Sequence, residues 1–306
     1  MAPTRVVTLD LNFQGRPQAI AAYLIYDGDA VVLVESGPGS TRPGLEAGLA
    51  NEGLSARDVT HLLLTHIHLD HAGAAGWLAR QGAQVYVHPV GAPHMLNPEK
   101  LIASATRIYG DRMDSLWGEF LPVPEEKLHV IGDRDGIVIG NLEFLPINTP
   151  GHAEHHYAYI FEDICFTGDV AGVRIPGFQY LRCPMVPPEL HLERWHESVN
   201  RLRMEKFSRI APTHFGIYDD PGWQLREVDK GLYDAERWID KMIAEDPNPP
   251  IEALRESFTT WMVEQGAAFG LSEDVVKAYG LANPPGMSAD GLLRYWKKVK
   301  NTPSKS

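Results

Sequence analysis

The stretch that most constrains this chain lies between residues 61 and 73, where four potential metal ligands, His66, His68, Asp70 and His71, follow the apolar run Leu62-Leu63-Leu64. A short leucine run of this kind reads as a buried strand. Gly73 and Gly76 loosen the segment behind it, where a helix begins. The ligands therefore sit on a strand-to-helix turn, carried by a rigid scaffold and facing outward. In an extended chain residues i and i+2 project to the same side, so His66 and His68 converge on one ion. Asp70 and His71 fall where the chain turns, and address a neighbouring position. Two ligand pairs aimed at two adjacent points suit zinc, iron(II) or manganese. No thiolate accompanies them, which argues against a structural zinc knuckle.

The rest of the chain repeats the pattern. Alternating and apolar runs predict strands over 5–11, 19–26 and 30–34, with a tight turn at 27–29. Leu45, Leu49 and Leu54 return to helical spacing behind Pro43. A helix over 72–81 and a strand over 84–87 complete a strand–helix–strand crossover. Residues 88–120 read as helical in two or three pieces, one opening at Asn97-Pro98. They form a helical insert, about 90–125, that either overhangs the site or packs on the sheet. Further strands are predicted over 127–130, 136–139, 142–147, 156–161, 164–166 and 208–211, with a helix over 189–204. Four strands run out into loops bearing His or Asp: the first at His66, the others at Pro150-Gly151-His152, Thr167-Gly168-Asp169 and Pro212-Thr213-His214. Such repetition points to one site at one rim of a sheet assembly. From residue 221 the chain turns helical, over 223–246, 251–266, 272–280 and 291–300, with proline-rich breaks at 246–250 and 283–286 and a frayed tail at 302–306. The expected division is a catalytic domain over 1–220 and a helical C-terminal extension or cap over 221–306.

Composition limits the partners. The chain has 306 residues and a formal charge of −12, which disfavours nucleic acid as a main partner because phosphate binding draws on clustered Lys and Arg. No run approaches the ~20 apolar residues of a membrane-spanning helix. The first eleven residues lack the apolar core of a signal peptide, and Cys165 and Cys183 are too few for a disulfide framework. Cys165 reads as a core residue and Cys183 as an exposed one. The expected setting is the cytoplasm, and the expected partner a small-molecule substrate.

These motifs together resemble the metallo-β-lactamase-fold hydrolase superfamily in its two-metal, glyoxalase II- and lactonase-like branch, over roughly residues 5–220. The combination of Thr65-His66-Ile67-His68-Leu69-Asp70-His71 with the three later motifs carries the resemblance. It implies an α/β fold, an αββα sandwich of two mixed sheets flanked by helices. It also implies ligand roles: His66, His68 and His152 at a first metal, Asp70, His71 and His214 at a second, and Asp169 bridging both. Two divalent ions per chain follow, zinc first, with iron or manganese as alternatives. The implied chemistry is attack by a metal-activated hydroxide on a small ester-type bond (thioester, lactone or carboxylic ester), with Asp70 orienting the nucleophile and shuttling its proton. The alternatives are phosphodiesterase or nuclease chemistry on the same metals, and an iron-dependent oxygenase resembling the persulfide dioxygenases.

Departures from the family pattern narrow the substrate. Asp169 argues against a true β-lactamase, and His68 against the flavin-linked di-iron oxygen reductases. Gly172 stands where quorum-lactone hydrolases usually carry tyrosine, leaving Tyr180 or Tyr157 as substitutes. Glu35 stands where the family usually has aspartate and reads as support for the ligand loop. His156 matches a recurring histidine and reads as a residue holding a ligand by hydrogen bond. His155 is expected at the surface or pocket rim. Phe178 and Tyr180, on the loop after Asp169, are candidate substrate contacts, and Arg174 and Arg182 candidate anchors for an anionic group.

Overall fold

The structure, a computed structural model, describes residues 4–28 and 30–300. The expected tail at 302–306 and Asp29 of the expected turn lie outside the described residues. The chain opens with β1 (Arg5–Asp10), β2 (Ala21–Asp27) and β3 (Ala30–Val34). Next come α1 (Arg42–Asn51), β4 (His61–Leu63), α2 (Leu69–Ala72), α3 (Ala75–Gln81) and β5 (Gln84–Val87). The insert folds as α4 (Ala92–Leu96), α5 (Glu99–Tyr109) and α6 (Met113–Trp117). The strands resume as β6 (Leu128–Val130), β7 (Ile137–Ile139), β8 (Leu142–Asn148), β9 (Tyr157–Phe161) and β10 (Ile164–Gly168). After α7 (Leu192–Arg203) and β11 (Arg209–Pro212) come four helices: α8 (Pro221–Glu245), α9 (Ile251–Ala268), α10 (Glu273–Ala282) and α11 (Pro285–Tyr295). The last begins at Pro285 rather than 291, because a proline tolerates the first helical positions where its missing N–H is not needed.

Two mixed sheets result, ordered β1-β2-β3-β4-β5-β6 and β11-β10-β9-β8-β7, with helices flanking them. In the first sheet β1, β2 and β3 pair antiparallel, while β3 through β6 pair parallel. Alternation along β2 explains the layering. Ala22 and Leu24 join a core with α1, α3 and the insert. Their neighbours Ala21, Tyr23 and Ile25 join Phe144, Tyr157 and Phe166 of the other sheet. The buried phenols are satisfied: Tyr23 donates to the Pro212 carbonyl at 2.6 Å and accepts from Gly216 N–H at 3.1 Å.

The chain divides into two compact units. The first comprises the N-terminal part through Asn148, together with His155–Gly168 and Phe207–Asp219, and holds both sheets. The second comprises Thr149–Glu154, Asp169–Lys206 and the part from Asp220 onward. The sequence places 149–154 and 169–206 in the expected catalytic domain over 1–220. In the structure the loop after Asp169 is part of the second, helical unit, where it supplies Val173 and Tyr180 to an apolar cluster with Leu271 and Tyr279. Tyr279 donates to the Tyr180 carbonyl at 2.8 Å and accepts from Ile175 N–H at 3.1 Å. Burial pushes its hydroxyl pKa up to about 12, so it remains a donor. Cys183 is buried rather than exposed, packed against the Val228 carbonyl, and the described residues contain no disulfide.

Candidate metal centre

In the sheet unit the site grows from the carboxyl ends of β3, β4 and β11. Val34 pairs with Leu63 across the parallel β3–β4 ladder, so Glu35 and Thr65 leave the sheet side by side. Glu35 takes φ 71°, a left-handed conformation uncommon for a residue with a side chain and costing on the order of 1–3 kcal/mol. Its carboxylate is fully buried, and one oxygen compensates. Oε1 accepts from the Thr65 hydroxyl, from the Thr213 hydroxyl at 3.0 Å and lies 3.0 Å from His71 Nδ1. Three loops are thus tied to a single oxygen. The other, Oε2, is buried with no hydrogen-bond partner among the described residues.

This arrangement aims the ligands. His71 Nδ1 faces Glu35, which turns its Nε2 to within 3.6 Å of Asp70 Oδ2. His214 Nδ1 lies 2.8 Å from the Ala19 carbonyl, which turns its Nε2 to within 3.5 Å of the same oxygen. Asp70, His71 and His214 bring their ligand atoms within 4.8 Å of one another. Donors around a tetrahedral ion at ~2.0–2.1 Å sit roughly 3.3 Å apart, so this set fits a divalent metal. Each imidazole has its far nitrogen held by an acceptor, as metal ligation requires. Asp70 lies in the first turn of α2 and its side chain is 19% exposed, whereas His71 and His214 are buried.

His66 and His68 also meet, Nε2 to Nδ1 at 2.9 Å, with His66 Nδ1 3.0 Å from the Thr65 hydroxyl. His156 stacks on His66 with ring centroids 4.9 Å apart. Gly168 makes room for it: a Cβ there would lie 2.5 Å from Thr65 Oγ1 and 2.8 Å from His156 Nε2, at φ 52°. His155 is not at the surface. It is 5% exposed, and its Nδ1 accepts from Ile67 N–H at 3.4 Å, so it supports the ligand loop from behind.

The insert packs on the first sheet through Met95, Ala105, Trp117 and Phe120 rather than standing clear of it. It nevertheless reaches the field of the site. Burial, and then the charge of Asp70, raise the pKa of the Tyr109 hydroxyl.

The helical unit holds His152 and Asp169. His152 Nδ1 lies 2.7 Å from the Pro184 carbonyl, and its Nε2 lies 3.3 Å from Asp169 Oδ2. Gly151, at φ 137°, passes so near Trp195 that a Cβ would lie 2.4 Å from its backbone. The candidate substrate residues are differently engaged. Arg174 grips Asp220 with both terminal nitrogens and stacks on Trp223 at 4.5 Å. It is a brace inside the helical unit, not the open anion anchor the sequence suggested, because a carboxylate already fills its fork. Tyr180 is 7% exposed and packs against Phe269 and Tyr279, and Phe178 joins the same cluster. Elsewhere His88, His129 and His196 contact Asn148, Gln84 and Asp229 and take part in packing.

The Ala19 and Pro184 carbonyls carry no sequence signal, since every residue has one, and neither does the convergence of Thr65, His71 and Thr213 on one Glu35 oxygen.

A family model for the metallo-β-lactamase superfamily matches residues 15–236. The chain belongs to the metallo-β-lactamase superfamily. A metallo-β-lactamase fold-containing protein of Sulfurisphaera tokodaii is 30% identical over 184 residues, covering 56% of this chain and 68% of that protein. A hydroxyacylglutathione hydrolase of Xylella fastidiosa is 33% identical over 143 residues, covering 47% of this chain and 41% of that enzyme. Among solved structures, a metallo-β-lactamase family protein from Thermus thermophilus superposes with a TM-score of 0.65 at 19% identity, over 96% of this chain and 93% of that one. The likeness at that identity concerns the fold. No helix among the described residues is long and apolar enough to cross a membrane.

Proposed function

We propose that this superfamily member is a dinuclear metallohydrolase cleaving a small ester-type bond, a thioester before a lactone or carboxylic ester. The observation that carries the reading is the convergence of Asp70, His71 and His214, each imidazole oriented from behind by Glu35 or the Ala19 carbonyl. In this reading His66, His68 and His152 would hold one ion and Asp70, His71 and His214 the other, with the Asp169 carboxylate offered to both. Bound there, divalent ions would supply a water of near-neutral pKa and polarisation of the scissile carbonyl. Zinc suits the donor set best, and the same donors accept iron or manganese.

The chain's own residues supply orientation and proton handling. Asp70 is the most open carboxylate of the cluster. It accepts a proton from the attacking water at one oxygen and passes it towards the leaving group. Glu35 and the Ala19 carbonyl keep His71 and His214 in the tautomer whose Nε2 lone pair faces the site. The buried surroundings of His66, His71, His152 and His214 exclude bulk water and strengthen the electrostatics of charge development. The thioester preference is supported by the hydroxyacylglutathione hydrolase similarity and by Gly172, which lacks a lactonase-type phenol. The negative net charge weighs against polynucleotide substrates.

The test is metal analysis of the purified protein followed by a panel of thioester, lactone and bis-nitrophenyl phosphate substrates. Two metal equivalents per chain and highest kcat/KM on a thioester are expected, with activity abolished by chelation and restored by zinc. A single iron with oxygen consumption, or phosphodiester cleavage exceeding ester cleavage, would overturn the assignment.

A further inference from the structure

His152 is oriented by a backbone carbonyl, so whatever fixes that carbonyl fixes the ligand. The Pro184 oxygen receives His152 Nδ1–H at 2.7 Å. Pro184 has no N–H of its own to anchor it, so its position rests on its neighbours. Both neighbours are tied to the same pair of side chains in the C-terminal helices. The Cys183 carbonyl accepts from Asn283 Nδ2 at 3.1 Å. Met185 N–H donates to Ser288 Oγ at 3.3 Å. Ser288 in turn donates to Asn283 Oδ1 at 3.0 Å, closing the circuit. Asn283 is 3% exposed and Ser288 fully buried. These bonds therefore operate without competition from water, and losing one partner strands the other.

The local fold explains how this circuit forms. Asn283 ends α10 in a non-helical conformation, and Ser288 lies in the first turn of α11. The Pro284-Pro285 step turns the chain so that both side chains meet the segment from Cys183 to Met185. Gly291, one turn further along α11, lets the helix backbone lie against that segment: a Cβ there would come within 2.0 Å of the Met185 carbonyl. In the sequence this junction reads only as a break between helices.

We propose that Asn283 and Ser288 are positioning residues for metal binding, acting through the Cys183–Pro184–Met185 backbone on His152. Their task is to hold the Pro184 carbonyl where it keeps His152 in the Nδ1–H tautomer, with the Nε2 lone pair directed at the metal. Outer contacts of this kind set ligand basicity and ring orientation. The proposal rests on the reading of His152 as a metal ligand, and its test separates the two.

Zinc affinity is measured on the metal-stripped full-length protein by competition with a chromophoric chelator. Four proteins are compared: the wild type, His152→Ala, Asn283→Ala and the double variant. His152→Ala weakens one of the two zinc equivalents. Asn283→Ala weakens that same equivalent by about 10–100-fold and leaves the other unchanged. In the double variant Asn283→Ala adds nothing, because its effect passes through His152. Should Asn283→Ala fail to fold, Ser288→Ala removes one hydroxyl from the same circuit and is carried through the same cycle. If His152→Ala leaves both equivalents at wild-type affinity, His152 is not a ligand and the underlying reading falls. If His152→Ala weakens one equivalent but the helix variant leaves it unchanged, weakens both alike, or keeps its full effect in the double variant, the positioning role falls alone.

Discussion

The two units orient their candidate metal-ligating histidines by different means. In the sheet unit His71 is oriented by a carboxylate that also binds Thr65 and Thr213, so three strand-end loops depend on one side chain. In the helical unit the Pro184 carbonyl faces His152 Nδ1, and Asn283 and Ser288 bond the residues on either side of that carbonyl. The first arrangement concentrates control at one buried group that a single substitution removes. The second passes it through a backbone segment, whose two ends are bonded by Asn283 and Ser288. Sheets permit the concentrated form because parallel strands deliver their carboxyl ends side by side. A loop packed among helices lacks that regular delivery and is held in place by its neighbours.

The comparison can be broken most directly at Asp169. Asp169→Ala removes the carboxylate that the proposed reading shares between two ions. We expect kcat/KM to fall by about 10³-fold or more, equivalent to roughly 4 kcal/mol of transition-state stabilisation. Metal content measured beside the kinetics should drop with it, and full activity with both metals retained would end the bridging assignment.

Glu35→Ala probes the concentrated arrangement. It leaves two hydroxyls and an imidazole without their buried acceptor, at about 1–3 kcal/mol of stability. Metal affinity should fall by about 10–100-fold. A chemical denaturation curve and a chelator titration check both effects. Loss of stability with unchanged affinity would show that Glu35 holds the loops without orienting the ligand.

Gly168→Ala sharpens the picture from the side of packing. The added methyl collides with Thr65 Oγ1 and His156 at a backbone angle that favours glycine. A loss of about 1–3 kcal/mol is expected, read as a lowered Tm, together with weaker metal binding because the collision falls on the His66 loop.

The smallest effect belongs to the rim of the sheet unit. Asp163 lies against Arg209 and Ser208, and their hydrogen bonds, the arginine's first, hold its carboxyl down at about 2. A depressed folded-state pKa gives stability that is present above the unfolded value of ~3.9 and is lost as pH falls through about 2. Arg209→Ala should cost no more than about 0.5 kcal/mol at neutral pH, since the pair is solvent-exposed. The Tm difference from wild type should close between about pH 4 and pH 2. A difference that stays constant across that range would assign the effect to packing instead.

Much of this architecture is legible in the amino-acid sequence because its signals are local. The apolar runs at Leu62-Leu63-Leu64 and Ile164-Cys165-Phe166 supply β4 and β10, and the candidate ligands His66 and Asp169 follow the ends of these strands. What the sequence conceals depends on long-range partners. Arg174 and Tyr180 look like pocket residues on a Gly- and Pro-rich loop. Asp220, Phe269 and Tyr279, far along the chain, absorb them into packing. Cys183 and His155 look exposed for the same reason. The Pro184 and Ala19 carbonyls are invisible because a peptide oxygen has no residue identity.

The separation between Glu35 and Thr213, 178 positions along the chain, has a kinetic consequence. Closing a loop of that length is an entropic cost met before the contact can repay it. The hub at Glu35 therefore matures only after β11 has docked on β10. During synthesis the chain cannot complete this support until residue 213 has emerged. Completion of the Glu35 support is then a late event in folding, since it needs the two ends of the sheet unit to have met.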